Sequence, residues 1–154
     1  MSDPSADPGR IKGYHAHVYY SPQTRAIAGR LRTGIGERFE ARLGSWHDEP
    51  VGPHPTAMYQ VAFAGEEFSV LVPWLMLNRE GLDVLVHPLT GDGVADHTQF
   101  AAWLGSPLPL RLGCLAARAS VIGSPQLSVS TSDESVRNRR GQSLSAGSSR
   151  PRRT

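Results

Sequence analysis

All six histidines of the chain, His15, His17, His47, His54, His87 and His97, fall between residues 15 and 97 of 154. Imidazole nitrogens bind Fe(II), Zn(II), Cu(II) or Ni(II), and open positions on Fe(II) support oxygen chemistry. The single cysteine, Cys114, excludes an internal disulfide and a multi-cysteine metal site, so a metal here rests on nitrogen and oxygen ligands.

Spacing narrows the set. His15 and His17 are two apart in YHAHVYY (residues 14–20), an aromatic and β-branched run that predicts a strand, so both project to one face. Tyr14, Ala16, Val18 and Tyr20 take the other, more apolar face, which is expected to meet helices. In LDVLVH (residues 82–87) the same alternation puts Leu82, Val84 and Val86 on one side and Asp83, Leu85 and His87 on the other, so His87 shares the open face. His54 lies in GPHP, where Pro53 and Pro55 stiffen the backbone, and a metal ligand requires rigid support. His47 follows Trp46 at the end of another predicted strand. Asp96-His97 reads either as a helix cap with its neighbour or as part of a site. A histidine taken alone is more often structural than a ligand. Six together favour a site, with His17, His54 and His87 as first candidates and His15, His47 and His97 behind them.

The elements that must hold these residues follow from the apolar pattern. Ser21-Pro22 reads as an N-cap and first helical position, followed by helical spacing of Ala26, Ile27, Leu31, Ile35 and Phe39 over residues 23–39. Residues 40–46 and 58–64 alternate as strands around a Pro/Gly loop at 49–55. Residues 66–79 predict a helix whose regular part begins near Pro73 or bends there, closing at Gly81, and a short helix is expected at 99–104. The apolar stretch VLVPWLMLN and Trp103-Leu104 read as core in preference to a substrate pocket. Asn78 and Arg79 either reach a ligand or satisfy the helix's last carbonyls.

The order β-α-β-β-α-β predicts an α+β, ferredoxin-like fold, a four-stranded antiparallel sheet with two helices on one face. The opposite face is then bare unless it binds something or meets a second subunit, so a homodimer is expected.

Charge is unevenly placed. Residues 1–112 hold nine Lys and Arg against twelve Asp and Glu, whereas residues 113–154 hold seven against two. The basic pI of about 9.0 therefore belongs to the tail, and nucleic-acid binding by the folded part is not expected. This divides the chain into a disordered N-terminus (1–10), one domain (11–112) and a Ser/Arg-rich, largely disordered tail (113–154), with the disorder beginning near residue 124. No apolar run is long enough to cross a membrane and MSDPSADPGR lacks the pattern of a signal peptide, so no membrane partner and a cytoplasmic protein are expected.

The strings YHAHVYY, WHDEPVGPHPTAMYQVAF, VPWLMLNREGLDVLVHPLTGD and DHTQFAAWLG, in that order, resemble the DOPA 4,5-dioxygenase family over residues 11–110. The resemblance implies extradiol cleavage of a catechol, DOPA or a related catecholic acid, by a non-haem metal and O2. Fe(II) is the metal expected, with another divalent ion as the alternative. It also implies metal ligation at His17, His54 and His87, with His15 or His47 in the acid–base role and His97 either there or orienting a ligand. The extension after Leu112 departs from the family pattern.

Other catalytic patterns are missing: there is no G-x-S-x-G, G-x-x-x-x-G-K, G-x-G-x-x-G or H-E-x-x-H. Two further readings remain. One is a dimeric metal- or small-ligand-binding protein of the same fold without turnover. The other makes the arginine-rich tail the functional part.

Overall fold

Alternation along the first strand organises the molecule. β1 (Tyr14–Tyr19) pairs on both edges, antiparallel to β3 (Met58–Phe63) and to β4 (Val84–Pro88). β2 (Ala41–Leu43) continues the sheet beyond β3, and β5 (Ala102–Leu104) continues it beyond β4. The result is an open antiparallel sheet in the order β2-β3-β1-β4-β5 within an α+β fold. The computed structural model describes residues 4–122.

The sheet corrects the four-strand expectation. Residues 102–104, assigned from sequence to a short helix, form β5, and the short helix lies earlier as α3 (Gly93–His97). Every residue of β4 is buried, so its outer edge would strand backbone donors and acceptors without a partner, and β5 supplies them. Three residues are too few to display a period, which is why pairing rather than pattern decides this segment.

α1 (Arg25–Arg38) and α2 (Gly65–Asn78) both pack on the face bearing Ala16, Val18, Val61, Val84 and Val86. Ala28, Leu31 and Ile35 from α1 and Leu71, Val72 and Leu75 from α2 complete that core. The Tyr59 hydroxyl donates to the Ala28 carbonyl at 3.0 Å, tying β3 to α1 inside it.

Two helix ends differ from expectation for local reasons. Ser21 and Thr24 bond reciprocally, Ser21 N–H to Thr24 Oγ1 at 2.8 Å and Thr24 N–H to Ser21 Oγ at 3.3 Å. That capping-box pattern opens a turn before the regular helix, which starts at Arg25. α2 runs unbroken through Pro73 from Gly65, because Pro73 and Ser69, whose carbonyl loses its donor, are both exposed to water. It closes through Glu80 (φ 48°) and Gly81 (φ 82°), and Asn78 Nδ2 donates to the Trp74 carbonyl, so Asn78 serves the helix end.

The other face of the sheet is partly covered by its own chain. Tyr19, Met58 and Leu85 pack beneath Ala101, Trp103, Leu108 and Leu110. Helix α4 (Gly113–Ile122) opens the stretch grouped by composition with the tail, and the disorder expected from residue 124 onward lies outside the described residues. Residues 4–10 are exposed and include a 3-10 turn at Pro8–Arg10, capped by the Asp7 carboxylate. Among the described residues no helix is long and apolar enough to cross a membrane.

Leu75 is fully buried between α2 and the sheet. Leu75→Ala is expected to lower unfolding free energy by about 2–5 kcal/mol, measured by urea denaturation, while leaving metal uptake intact.

Candidate metal centre

The pleat of β1 sends His15, His17 and Tyr19 to the face away from the helices. Antiparallel register then sets His15 opposite His87, and His17 opposite Leu85. His54 arrives from the loop between β2 and β3. Its N–H donates to the Val51 carbonyl at 3.0 Å, and the Arg111 N–H donates to the Pro53 carbonyl at 2.8 Å, holding the loop against the segment after β5. His97 ends α3, whose first turn is capped by Asp92 through the Ala95 N–H. Asp96, buried, accepts from the Thr90 N–H and hydroxyl, which fixes α3 to the loop leaving β4.

Five of the six histidines converge. His15, His17 and His87 each offer a nitrogen within 4.8 Å of the others', and so do His17, His54 and His97. The trio implied by sequence, His17, His54 and His87, is therefore divided: His17 belongs to both groups, His87 to the first and His54 to the second. His15 joins the first group and His97 the second. His47 stands outside both. Gly44 pairs with Gln60 and His47 with Met58, so Ser45 and Trp46 together oppose Tyr59 in a bulge, and Trp46 packs against the helix-side core.

Hydrogen bonds assign the ring protons. A carbonyl only accepts, so His87 Nδ1–H donates to the Pro88 carbonyl and His97 Nδ1–H to the Gly93 carbonyl, both at 2.8 Å. In the neutral ring His87 Nε2 then carries a lone pair. It lies 3.1 Å from His17 Nε2, which must therefore be the donor. His17 Nδ1 is left as a bare lone pair, buried and without a hydrogen-bond partner among the described residues. His54 Nδ1 meets the Tyr19 hydroxyl at 2.7 Å, leaving its Nε2 as the remaining nitrogen.

Electrostatics keep His17, His54, His87 and His15 neutral. Burial, then the neighbouring His54, His87 and His97, hold His17 well below the usual imidazole range. Burial first and His97 next lower His54 and His87 to about 4 each, although the Pro88 bond pulls His87 the other way. His15, half-buried, is lowered by burial, His97 and Arg42. A metal ligand must be an unprotonated nitrogen whose other nitrogen is held by an outer partner. An orphaned buried lone pair on His17, with His54 and His97 beside it, meets that requirement.

Comparison with known proteins places this arrangement. The profile of the Dopa 4,5-dioxygenase family matches residues 14–114, a span that contains every histidine. The chain belongs to the Dopa 4,5-dioxygenase family. A DOPA 4,5-dioxygenase of Amanita muscaria is 32% identical over 121 residues, covering 73% of this chain and 53% of the relative. An uncharacterized 21.2 kDa protein of Botryotinia fuckeliana is 38% identical over 118 residues, covering 69% and 64%. The chain thus spans less than two thirds of either curated relative. A crystal structure from Nostoc punctiforme, provisionally described as a dioxygenase, is 54% identical with a TM-score of 0.73 and covers 74% of this chain and 99% of that one.

Sequence reasoning passed over two features of this candidate site in a Dopa 4,5-dioxygenase family chain. Tyr19 continues the period-two row of His15 and His17, and that row was the signal available for it. Beside His97 a cavity of about 240 Å³ is lined by Thr98, Trp103, Leu108, Leu110 and Leu112. It depends on the chain folding back after β5, which no local pattern announces.

The lowered pKa values set a pH dependence. His54 and His87 titrate near 4 in the fold and near 6.5 when unfolded, so below 6.5 the unfolded chain binds more protons. Metal-free protein is expected to hold its full Tm above pH 6.5 and to lose several degrees by pH 4.5. A Tm that stays flat through that window in differential scanning calorimetry contradicts the buried neutral cluster.

Proposed function

We propose that the chain is an extradiol ring-cleaving dioxygenase that opens a catechol with O2 at a ferrous centre held by His17, His54 and His97. The observation that carries this reading is the orphaned Nδ1 lone pair of His17. His17 belongs to a trio with His54 and His97 in which each ring has one nitrogen held by an outer partner: His87 for His17, Tyr19 for His54 and the Gly93 carbonyl for His97. In the alternative trio His15 has no such partner among the described residues, and His17 would have to bury an unpaired Nδ1–H. His87 therefore moves from the ligand role implied by sequence to that of an orienting neighbour, and His97 takes its place. We also read the strand order β2-β3-β1-β4, with α1 and α2 on one face, as a ferredoxin-like unit to which β5 is added.

Fe(II) bound there would supply a Lewis acid for two adjacent phenolic oxygens and the electron transfer that O2 needs before it reacts with an aromatic ring. The protein does the rest. The open pocket beside His97, walled by Trp103, Leu108 and Leu110, offers apolar surface for an aromatic ring. His15 remains outside the ligand trio, neutral and half-buried, and borders an open groove also lined by Lys12 and Arg42. On this reading a neutral His15 takes the proton a catechol gives up on binding and returns it through water. Ring opening breaks one carbon–carbon bond beside the diol and leaves both atoms of O2 in the product, as a carbonyl and a carboxylate.

The decisive measurement is oxygen uptake by anaerobically Fe(II)-loaded protein given DOPA, caffeate or protocatechuate, read together with the yellow absorbance of a ring-opened semialdehyde. Coupled uptake and colour are expected. His17→Ala and His97→Ala should abolish metal binding, whereas His87→Ala should weaken it about 10–100-fold. Metal uptake without oxygen consumption on any catechol would instead make the chain a binding protein.

A further inference from the structure

We propose that Tyr19 is a positioning residue, its hydroxyl holding the His54 imidazole in the one ring orientation and tautomer that present Nε2 as a ligand. This rests on the reading of His17, His54 and His97 as a metal trio.

The need for such a residue comes from His54's place on a loop. Its backbone is constrained by Pro53 and Pro55, by its own N–H bond to Val51 and by the Arg111 bond to Pro53. None of these restrains rotation of the ring about Cβ–Cγ, a torsion with broad wells. A half-turn about that bond would put Cε1 where Nε2 stands and remove the ligand. Among the described residues the side-chain hydrogen bond of His54 is the one to Tyr19, 2.7 Å from Nδ1 to the hydroxyl.

Tyr19 is suited to impose that restraint because it cannot move. It is 3% exposed and packs with Met58 and Leu85, and its ring stacks on Trp103 at 5.7 Å with an interplanar angle of 22°. It stands on the same face of β1 as His15 and His17, so the strand that supplies the central ligand also supplies the restraint on a second one. Burial raises the phenol's pKa, so the hydroxyl stays neutral and adds no charge beside the trio. In the metal-free protein the hydroxyl can donate to Nδ1 or accept from it. A metal on Nε2 requires acceptance, which fixes the His54 proton on Nδ1.

The test uses the full chain stripped of metal, with Co(II) as the probe and Tyr19→Phe as the variant, which keeps the ring against Trp103 and removes the hydroxyl. Co(II) affinity, read from its visible absorption against a competing chelator, is expected to fall about 10–100-fold. In a His54→Ala background the same substitution should cause no further loss. Nitrogen NMR of the metal-free protein should show His54 protonated on Nδ1 in the wild type and an averaged ring in Tyr19→Phe, and a wild-type ring protonated on Nε2 overturns the proposal. Equal Co(II) affinity in variant and wild type, or an equal loss with His54 already absent, overturns the proposal, since a merely structural role predicts the latter. If the wild-type chain takes up no Co(II), the metal reading falls. Tyr19 is then judged on the tautomer alone, and His54 signals that do not change in Tyr19→Phe overturn its role.

Discussion

One backbone carbonyl governs the protonation of the histidine cluster. Pro88 accepts from His87 Nδ1–H, so His87 Nε2 must accept from His17, and His17 is left with a bare, buried Nδ1. An unpaired polar atom in an apolar interior costs on the order of 1–3 kcal/mol, which a fold retains where the atom has a use. The capped α3 and the stiff loop bearing His54 bring His97 and His54 beside His17, and the stacked Tyr19 bonds to His54.

The sheet separates stability from chemistry by the period of its strands. Even-numbered positions of β1, with their partners on β3 and β4, build the apolar core beneath α1 and α2. Odd-numbered positions carry His15, His17 and Tyr19 to the opposite face. A shift of one residue in register would exchange the two sets, so the core that fixes the register also fixes the site. The histidine side is closed by the chain after β5, which brings Trp103, Leu108 and Leu110 over Tyr19 and Leu85 and leaves a cavity beside His97. The histidine cluster thus lies on the face that the sequence left bare unless it binds something or meets a second subunit, and its own chain covers part of that face.

Membership of the Dopa 4,5-dioxygenase family and the histidines available to converge on one face were legible in the residues themselves. YHAHVYY announces a strand with two histidines on one face, LDVLVH adds a third, and GPHP announces a stiff loop, because strand period and proline stereochemistry act over a few residues. The helices at 25–38 and 65–78 were likewise visible from apolar spacing, and their ends shifted only where a serine–threonine pair or solvent around Pro73 allowed it.

Which histidines belong together was decided by the tertiary structure. His87 and His97 exchange places between the sequence-implied and the proposed ligand sets, since proton positions follow from carbonyls and ring distances set by cross-strand register and by the docking of α3. The fifth strand, the bulge that takes His47 out of the groups and the bond from Tyr19 to His54 are also long-range facts. Periodicity reports the face to which a residue points. What it meets there depends on segments distant in the chain, and only the folded chain brings them together.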